Sequence, residues 1–160
     1  MIIKLSPEEC HLAVLIASTR QTSAALKRLR DSVDEKSWLD SFLTNFYGCV
    51  GEIAAAKALR VPWPAWIDRF TSVSDLETHI EVRHRVKDEH ELIIRPDDGK
   101  NKYYVHTSGY PERVTIHGFI LGKDAMKDEY KQRHGGKRVA YFVPKEALKP
   151  AELLRKAIHG

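Results

Sequence analysis

Residues 74–85 read Ser-Asp-Leu-Glu-Thr-His-Ile-Glu-Val-Arg-His-Arg and contain the most informative pattern in the chain. Apolar and polar residues alternate from Ile80 onward, which is typical of a β-strand with one buried face. Because side chains of a strand alternate between its two faces, Glu81 and Arg83 are expected to share a face. The apolar residues of the stretch are expected to face the core.

Two carboxylates frame this strand. A turn after Asp75 would bring its carboxylate next to that of Glu81. Adjacent carboxylates repel, and a bound cation or a raised pKa relieves the repulsion. With Arg83 beside them, the group favours a divalent-metal site for phosphate chemistry. The plainer alternatives are a turn role for Asp75 and an exposed position on an open sheet face for Glu81.

The order of several short motifs resembles a known superfamily. Asp75 followed by Glu81-Val82-Arg83 resembles the core motif of the PD-(D/E)XK nucleases, with Arg where that motif has Lys. Gly51-Glu52, in an Ala-rich helical segment, is similar to the Gly-Glu that often lies upstream in that superfamily. Three later segments resemble a phage-encoded branch of it: residues 92–98, 114–120 and 140–144. The resemblance covers roughly residues 45–150.

This resemblance implies a fold and an activity. The fold is restriction-endonuclease-like, an α/β (α+β) domain with a mixed central sheet flanked by helices. The activity is metal-dependent hydrolysis of DNA phosphodiester bonds, with Mg²⁺ or Mn²⁺ bound by Asp75, Glu81 and Glu52. The alternative is a catalytically inactive protein of this fold that binds DNA or a host protein. Many enzymes of this fold are dimers, so a homodimer is a further expectation.

Arg83 departs from the superfamily motif in a way that matters chemically. The Lys of the motif is thought to activate or orient the attacking water and to steady charge on the phosphate. Arg stays protonated and cannot act as a general base, although it can hold a phosphate with two hydrogen bonds. Arg83 is therefore expected to bind the scissile phosphate, unless the site is inactive. Lys87 or Lys102 could supply the missing amine, and the sequence leaves this choice open.

The basic excess of the chain is concentrated near its C-terminus. The net charge is +4, and residues 123–160 contain ten Lys or Arg against five Asp or Glu. Such a segment would suit a polyanionic partner such as DNA, although an ordinary solvated surface has the same composition. Lys137, Arg138, Arg85 and Lys87 are the predicted nucleic-acid contacts.

Patterning predicts a single domain of 160 residues. Helices are expected within residues 6–60, a sheet core within 68–122 and a basic segment at 123–160. Ser6-Pro7-Glu8-Glu9 is a strong helix start, and Asp34 is the expected cap of the second helix. Gly48 and Gly51 leave open whether that region holds one helix or two. Strands are predicted at residues 69–73, 79–86, 91–95, 103–107, 113–121 and 139–143, a short helix at 123–130, and a mobile loop at 133–136.

Several classes of protein are excluded or disfavoured. Uncharged runs such as residues 12–19 are too short to cross a bilayer, and we expect no signal peptide. Cys10 and Cys49 are too few for a disulfide scaffold or a Cys-based zinc site. Phosphate-binding Gly-rich loops and the Gly-x-Ser-x-Gly motif are absent. We therefore expect a cytoplasmic protein, in the host cytoplasm if it is phage-encoded.

Overall fold

The computed structural model describes residues 1–26, 37–67, 74–77, 79–134 and 138–160, without the side chains of Leu26, His134 and Arg138. The α-helices of this part are α1 (Pro7–Leu26), α2 (Trp38–Leu59), α3 (Gly122–Ala125) and α4 (Ala151–His159). The strands are β1 (Ile2–Ile3), β2 (Ile80–Arg85), β3 (Leu92–Ile94), β4 (Tyr103–Tyr110), β5 (Arg113–Leu121), β6 (Lys131–His134) and β7 (Arg138–Val143). The described part of the chain is therefore a mixed α+β structure.

Both long helices begin at a serine cap. Ser6 Oγ accepts a hydrogen bond from the backbone N–H of Glu9, whose carboxylate accepts one from the N–H of Ser6. This reciprocal capping box confirms the predicted start of α1. The side chain of Ser37 accepts from the N–H of Asp40 and caps α2. The predicted cap at Asp34 lies outside the described residues.

The strands form two sheets. The first has the order β1-β5-β4-β2, in which β2 runs parallel to β4 and the other neighbours are antiparallel. The second is antiparallel with the order β3-β7-β6. Helix α2 packs on one face of the first sheet, where Val82 and Val105 join the main core. Tyr104 points to the opposite face and packs with Leu92 of the second sheet. The face of β2 that carries Glu81 is thus turned away from α2.

Two sequence predictions about local structure needed correction. The predicted loop at residues 133–136 is wrong for Arg133 and His134, which belong to strand β6. Its residues are polar, Lys131, Gln132 and Arg133 are exposed, and backbone pairing with β7 defines the strand, so apolar alternation could not reveal it. The predicted helix at 123–130 is shorter, with α3 followed by a 3₁₀ turn at Asp128–Tyr130. The predicted strand at 69–73 lies outside the described residues.

Helix α2 runs without a break through both of its glycines. A Cβ at Gly51 would lie 2.6 Å from the Cβ of His84 and 2.8 Å from Oγ1 of Thr107. Gly51 therefore allows α2 to approach strands β2 and β4 closely. A Cβ at Gly48 would meet nothing within 4 Å.

These two glycines give a matched pair of substitutions. Gly51→Ala is expected to lower the free energy of unfolding by about 1–3 kcal/mol, because the added methyl group pushes α2 away from the sheet. Gly48→Ala should raise it by up to about 1 kcal/mol, because Ala has the higher helix propensity. Urea unfolding of both variants measures the difference, and equal effects of the two substitutions would contradict the close packing at Gly51.

No helix in the described part of the chain combines the length and the apolar character that crossing a bilayer requires.

Candidate functional site

A tight turn brings Asp75 beside strand β2. Leu76 and Ile80 exchange backbone hydrogen bonds of 3.0 and 3.2 Å, and the antiparallel register of this bridge sets Asp75 opposite Glu81. Asp75 is buried, and its Oδ2 accepts a hydrogen bond of 2.6 Å from the N–H of Val82. The turn anticipated from the sequence is present, and it holds Asp75 against the backbone of the strand.

Glu81 lies between two basic side chains. Its Oε1 is 2.7 Å from Nζ of Lys102, and its Oε2 is 3.5 Å from a guanidinium nitrogen of Arg83. Lys102 directly precedes β4, and the parallel pairing of β2 with β4 sets Ile80 opposite Tyr103. The amine of Lys102 thus reaches Glu81 from the neighbouring strand. The sequence did not decide whether Lys87 or Lys102 supplies the amine, and the structure shows that Lys102 contacts Glu81. Lys87 is exposed, and its Nζ lies 3.9 Å from Oε1 of Glu89.

Arg83 lies among three carboxylates. A guanidinium nitrogen is 3.2 Å from Oδ2 of Asp98, and the guanidinium carbon is 5.5 Å from the centre of the Tyr104 ring. Burial lowers the pKa of Arg83, but nearby carboxylates more than offset this and raise it above the ordinary value. These carboxylates belong, in order of effect, to Asp98, Asp75 and Glu81. Arg83 is therefore a fixed cation at the centre of the acidic group.

Glu52 lies on helix α2 and is buried. Its two carboxylate oxygens lie 3.0 and 2.9 Å from the guanidinium nitrogens of Arg20, a bidentate ion pair. The indole N–H of Trp63 donates to the same carboxylate at 2.8 Å. Burial lowers the pKa of Arg20, but the charges and hydrogen bonds of Glu52, with a smaller effect of Asp75, raise it overall. Arg20 is thus electrostatically close to two of the predicted metal ligands.

The donors of the site suit a hard cation in their chemistry but not in their present arrangement. Asp75, Glu81 and Asp98 offer carboxylate oxygens, which Mg²⁺ and Mn²⁺ prefer. Each of these carboxylates already contacts a backbone N–H or a basic side chain. Within the described residues, no group of three or more His, Cys, Asp or Glu side chains is arranged to hold a metal ion. Metal binding would therefore require Lys102 or Arg83 to release its carboxylate.

The predicted nucleic-acid contacts differ in position. Arg85 lies two residues beyond Arg83 on the same face of β2 and is half-buried. Burial, followed by the charges of Arg83 and Arg95, lowers the pKa of Arg85. Among the residues that the structure describes, Arg85 has no carboxylate in ion-pair contact, so it remains able to bind an anion. Lys137 and the side chain of Arg138 lie outside the described part of the chain.

A second polar group extends from Arg83 along the same face of the sheet. Strand β4 places His106 beside Arg83 and Ser108 beside Arg85. Ser108 Oγ donates to Oδ1 of Asp88 at 2.7 Å and also lies 2.7 Å from Nε2 of His117. The same ring nitrogen is 3.2 Å from Oδ1 of Asp88. In this arrangement Ser108 donates its proton to Asp88, and the three side chains form a hydrogen-bonded group on this face of the sheet.

His106 makes stability depend on pH. The ring is fully buried against His117, with centroids 4.7 Å apart. Burial, with smaller effects of His117, Lys145 and Arg85, lowers its pKa from 6.5 to about 3. The unfolded chain therefore takes up this proton first as the pH falls. Stability that is complete above pH 6.5 is lost progressively between pH 6.5 and about 3.

We expect His106→Leu to flatten this dependence. Between about pH 7.5 and about pH 5, the wild-type protein should lose about 2 kcal/mol more unfolding free energy than the variant. Urea unfolding at the two pH values measures the difference. His90→Gln, at an exposed position, serves as the control and should behave like wild type. Parallel pH profiles of wild type and His106→Leu would contradict the prediction.

Sequence reasoning did not single out Asp98 or Arg20 as parts of this site. Asp98 lies in the turn before β4, and it reaches Arg83 only because β2 and β4 are parallel and begin at the same edge. That pairing is non-local and leaves no periodic signal. Arg20 is one basic residue in the polar middle of α1, and only the packing of α1 on α2 identifies its partner.

Comparisons of the chain with protein-family models, with curated proteins and with solved structures found no match. The resemblance to PD-(D/E)XK nucleases therefore remains a prediction that depends on the motif residues. The geometry around Glu81 is an independent observation, because it does not use that resemblance.

Proposed function

We propose that the protein is a metal-dependent endonuclease that hydrolyses DNA phosphodiester bonds on a restriction-endonuclease-like fold. One observation carries the proposal: Glu81 lies opposite Asp75 while Arg83 and Lys102 both contact it. Carboxylates, a guanidinium and an amine on one open sheet edge are the groups that phosphate hydrolysis uses. The order of motifs along the chain supports the same function.

Each residue of the site would have its own role in the reaction. Asp75 and Glu81 would hold Mg²⁺ or Mn²⁺, which supplies an activated water and neutralises charge on the phosphate when bound. Arg83 would hold the scissile phosphate, and Arg85 would hold the neighbouring phosphate of the DNA backbone, because both side chains lie on the same face of β2. Lys102 would donate a hydrogen bond that orients the attacking water and would stabilise the negative charge that develops on the phosphate, while the proton of the water would pass to solvent.

A second candidate function is binding without catalysis. The observation that favours it is that the carboxylates already have partners: Arg20 holds Glu52, and Lys102 and Arg83 hold Glu81. A protein with such neutralised carboxylates could bind DNA through Arg85 and the basic C-terminal segment, or bind a host protein. It would neither take up metal at Asp75 and Glu81 nor cut DNA.

Calorimetry with Mg²⁺ and Mn²⁺ decides between these functions. Wild type and Asp75→Ala/Glu81→Ala would be titrated, and both would then be incubated with plasmid and with branched DNA. Metal binding and cutting by wild type, with both lost in the double variant, would support the nuclease. DNA binding with a steep salt dependence, without metal uptake or cutting, would support the binding protein. Absence of all three would reject both functions.

Lys102 gives a sharper test of the mechanism. Lys102→Met is expected to lower the rate of DNA cleavage by about a hundred-fold, because the loss of one positioned donor at developing negative charge costs about that much. Lys102→Arg should keep most of the activity, since Arg retains the positive charge and an ion pair with Glu81. Lys4→Met, at an exposed position, is the matched control and should cut at the wild-type rate. Activity of Lys102→Arg as low as that of Lys102→Met would contradict this role of the charge.

A further inference from the structure

A cleft with four basic residues in its lining lies at the ends of helices α2 and α4. Its volume is about 330 Å³, and its lining residues are Arg60, Arg155, Lys156 and His159. Arg60 follows the last residue of α2, and the other three belong to the C-terminal half of α4. The cleft is therefore formed where α4 packs on α2.

Hydrogen bonds at the helix ends position two of the lining residues. Arg60 adopts a left-handed conformation with φ of 59°, and its N–H bonds to carbonyl oxygens of the last turn of α2. Nε2 of His159 lies 2.9 Å from the carbonyl oxygen of Leu59, which ties the end of α4 to the end of α2. Because a carbonyl can only accept, Nε2 carries the proton in this hydrogen bond.

The charge of the cleft is not neutralised by the described part of the chain. Among the described residues, none forms an ion pair with Arg60, Arg155 or Lys156, and no Asp or Glu lines the cleft. Four basic residues at one cleft, with no carboxylate beside them among the described residues, favour an anion as the ligand. The C-terminal ends of helices attract cations, which also accounts for basic residues at these positions.

We propose that this cleft is a binding site for a phosphate group. Two guanidinium groups match the planar oxygens of a phosphate, and Lys156 adds a mobile third donor. The phosphate can belong to a small phosphorylated molecule or to a nucleic-acid backbone, because the recognised chemistry is the same. The cleft residues belong to the ends of α2 and α4, whereas Glu81 lies at the start of β2 and Asp75 precedes it, and the site does not depend on the nuclease proposal.

Titration with inorganic phosphate at constant ionic strength, followed by NMR, tests the site directly. Wild type should show phosphate-dependent shifts at the amides of Arg60 and residues 155–159. Arg60→Gln/Arg155→Gln should weaken this binding by about ten-fold or more, since each guanidinium contributes a charge-assisted bond. Lys156→Gln should weaken it to a smaller extent. Arg113→Gln/Lys123→Gln removes the same charge at exposed positions outside the cleft and should bind phosphate as wild type does.

A competition arm identifies the source of the phosphate. Displacement of inorganic phosphate from the cleft by a short DNA duplex would support a backbone contact. Phosphate binding that DNA does not displace would support a small phosphorylated ligand. Absent shifts in wild type, or equal weakening by the control variant, would overturn the proposal, and the cations would then only complement the helix ends. The phosphate titration does not measure DNA cleavage. A negative result would therefore reject the phosphate site without testing the nuclease function.

Discussion

Replacing Glu81 with Gln is expected to slow metal-dependent DNA cleavage by about a hundred- to a thousand-fold. Gln keeps the shape of the side chain and can still accept hydrogen bonds from Lys102 and Arg83. It removes the negative charge that a divalent cation requires from its ligand. The loss should therefore appear in catalysis and metal affinity, with a small effect on stability. Plasmid nicking with Mg²⁺ or Mn²⁺ measures the rate, and calorimetry measures the affinity.

Glu77→Gln is the control for Glu81→Gln. Glu77 is exposed in the same turn, between Asp75 and Glu81, and loses the same charge on substitution. It should cut DNA at the wild-type rate. Asp75→Asn should be as inactive as Glu81→Gln, because both carboxylates are assigned to the same ion. Cleavage that persists unchanged in Glu81→Gln would reject the assignment of the site, whatever other nuclease activity the protein has.

Sequence patterns predicted helices and strands correctly where neighbouring residues determine the structure, through alternating burial or through helix capping. The alternation around Glu81 gave strand β2, the serine and glutamates at residues 6–9 gave the start of α1, and β5 matched the predicted residues 113–121. Strand β6 was missed because the side chains of Lys131, Gln132 and Arg133 are exposed and backbone pairing defines the strand. Periodicity reports burial, so an element without a buried face leaves no pattern.

The site was predictable only in part, for the same reason. Asp75 and Glu81 are six residues apart, and one turn is enough to bring them together. Lys102 directly precedes β4, and it reaches Glu81 because β4 pairs in parallel with β2. No local feature of the sequence favours Lys102 over Lys87 for this contact. The sequence also did not predict which charged residues form ion pairs. Glu52 was identified as a candidate from Gly-Glu on an Ala-rich helix, but the sequence did not identify Arg20 as the residue that neutralises it.

That ion pair raises the question of whether Glu52 is a metal ligand or a structural carboxylate. Both side chains are largely buried, with 13% of Arg20 and 7% of Glu52 exposed. A bidentate pair in such surroundings neutralises two charges that would be costly to bury separately. A metal ion could replace Arg20 in this role, because it would also neutralise Glu52. The two functions are mutually exclusive at any moment, since both use the same carboxylate oxygens.

Arg20→Met separates these functions. Without metal, the variant is expected to lose about 3–5 kcal/mol of unfolding free energy, because the buried ion pair between Arg20 and Glu52 is broken from one side. Arg20→Met/Glu52→Leu should recover most of that loss, since both charges are then removed together. Urea unfolding of the single and double variants gives the coupling energy. Arg113→Met, at an exposed position, should change stability little.

Adding Mg²⁺ to Arg20→Met then identifies the role of Glu52. If Glu52 is a metal ligand, the freed carboxylate should bind the ion, and saturating Mg²⁺ should restore about 2–3 kcal/mol by mass action. The double variant lacks the carboxylate and should show no such gain. Equal responses of the two variants to Mg²⁺ would assign Glu52 to the structural ion pair alone. In that case Asp75 and Glu81 would have to bind the ion without it, and Asp98 would be the remaining carboxylate near Arg83 that could complete the site.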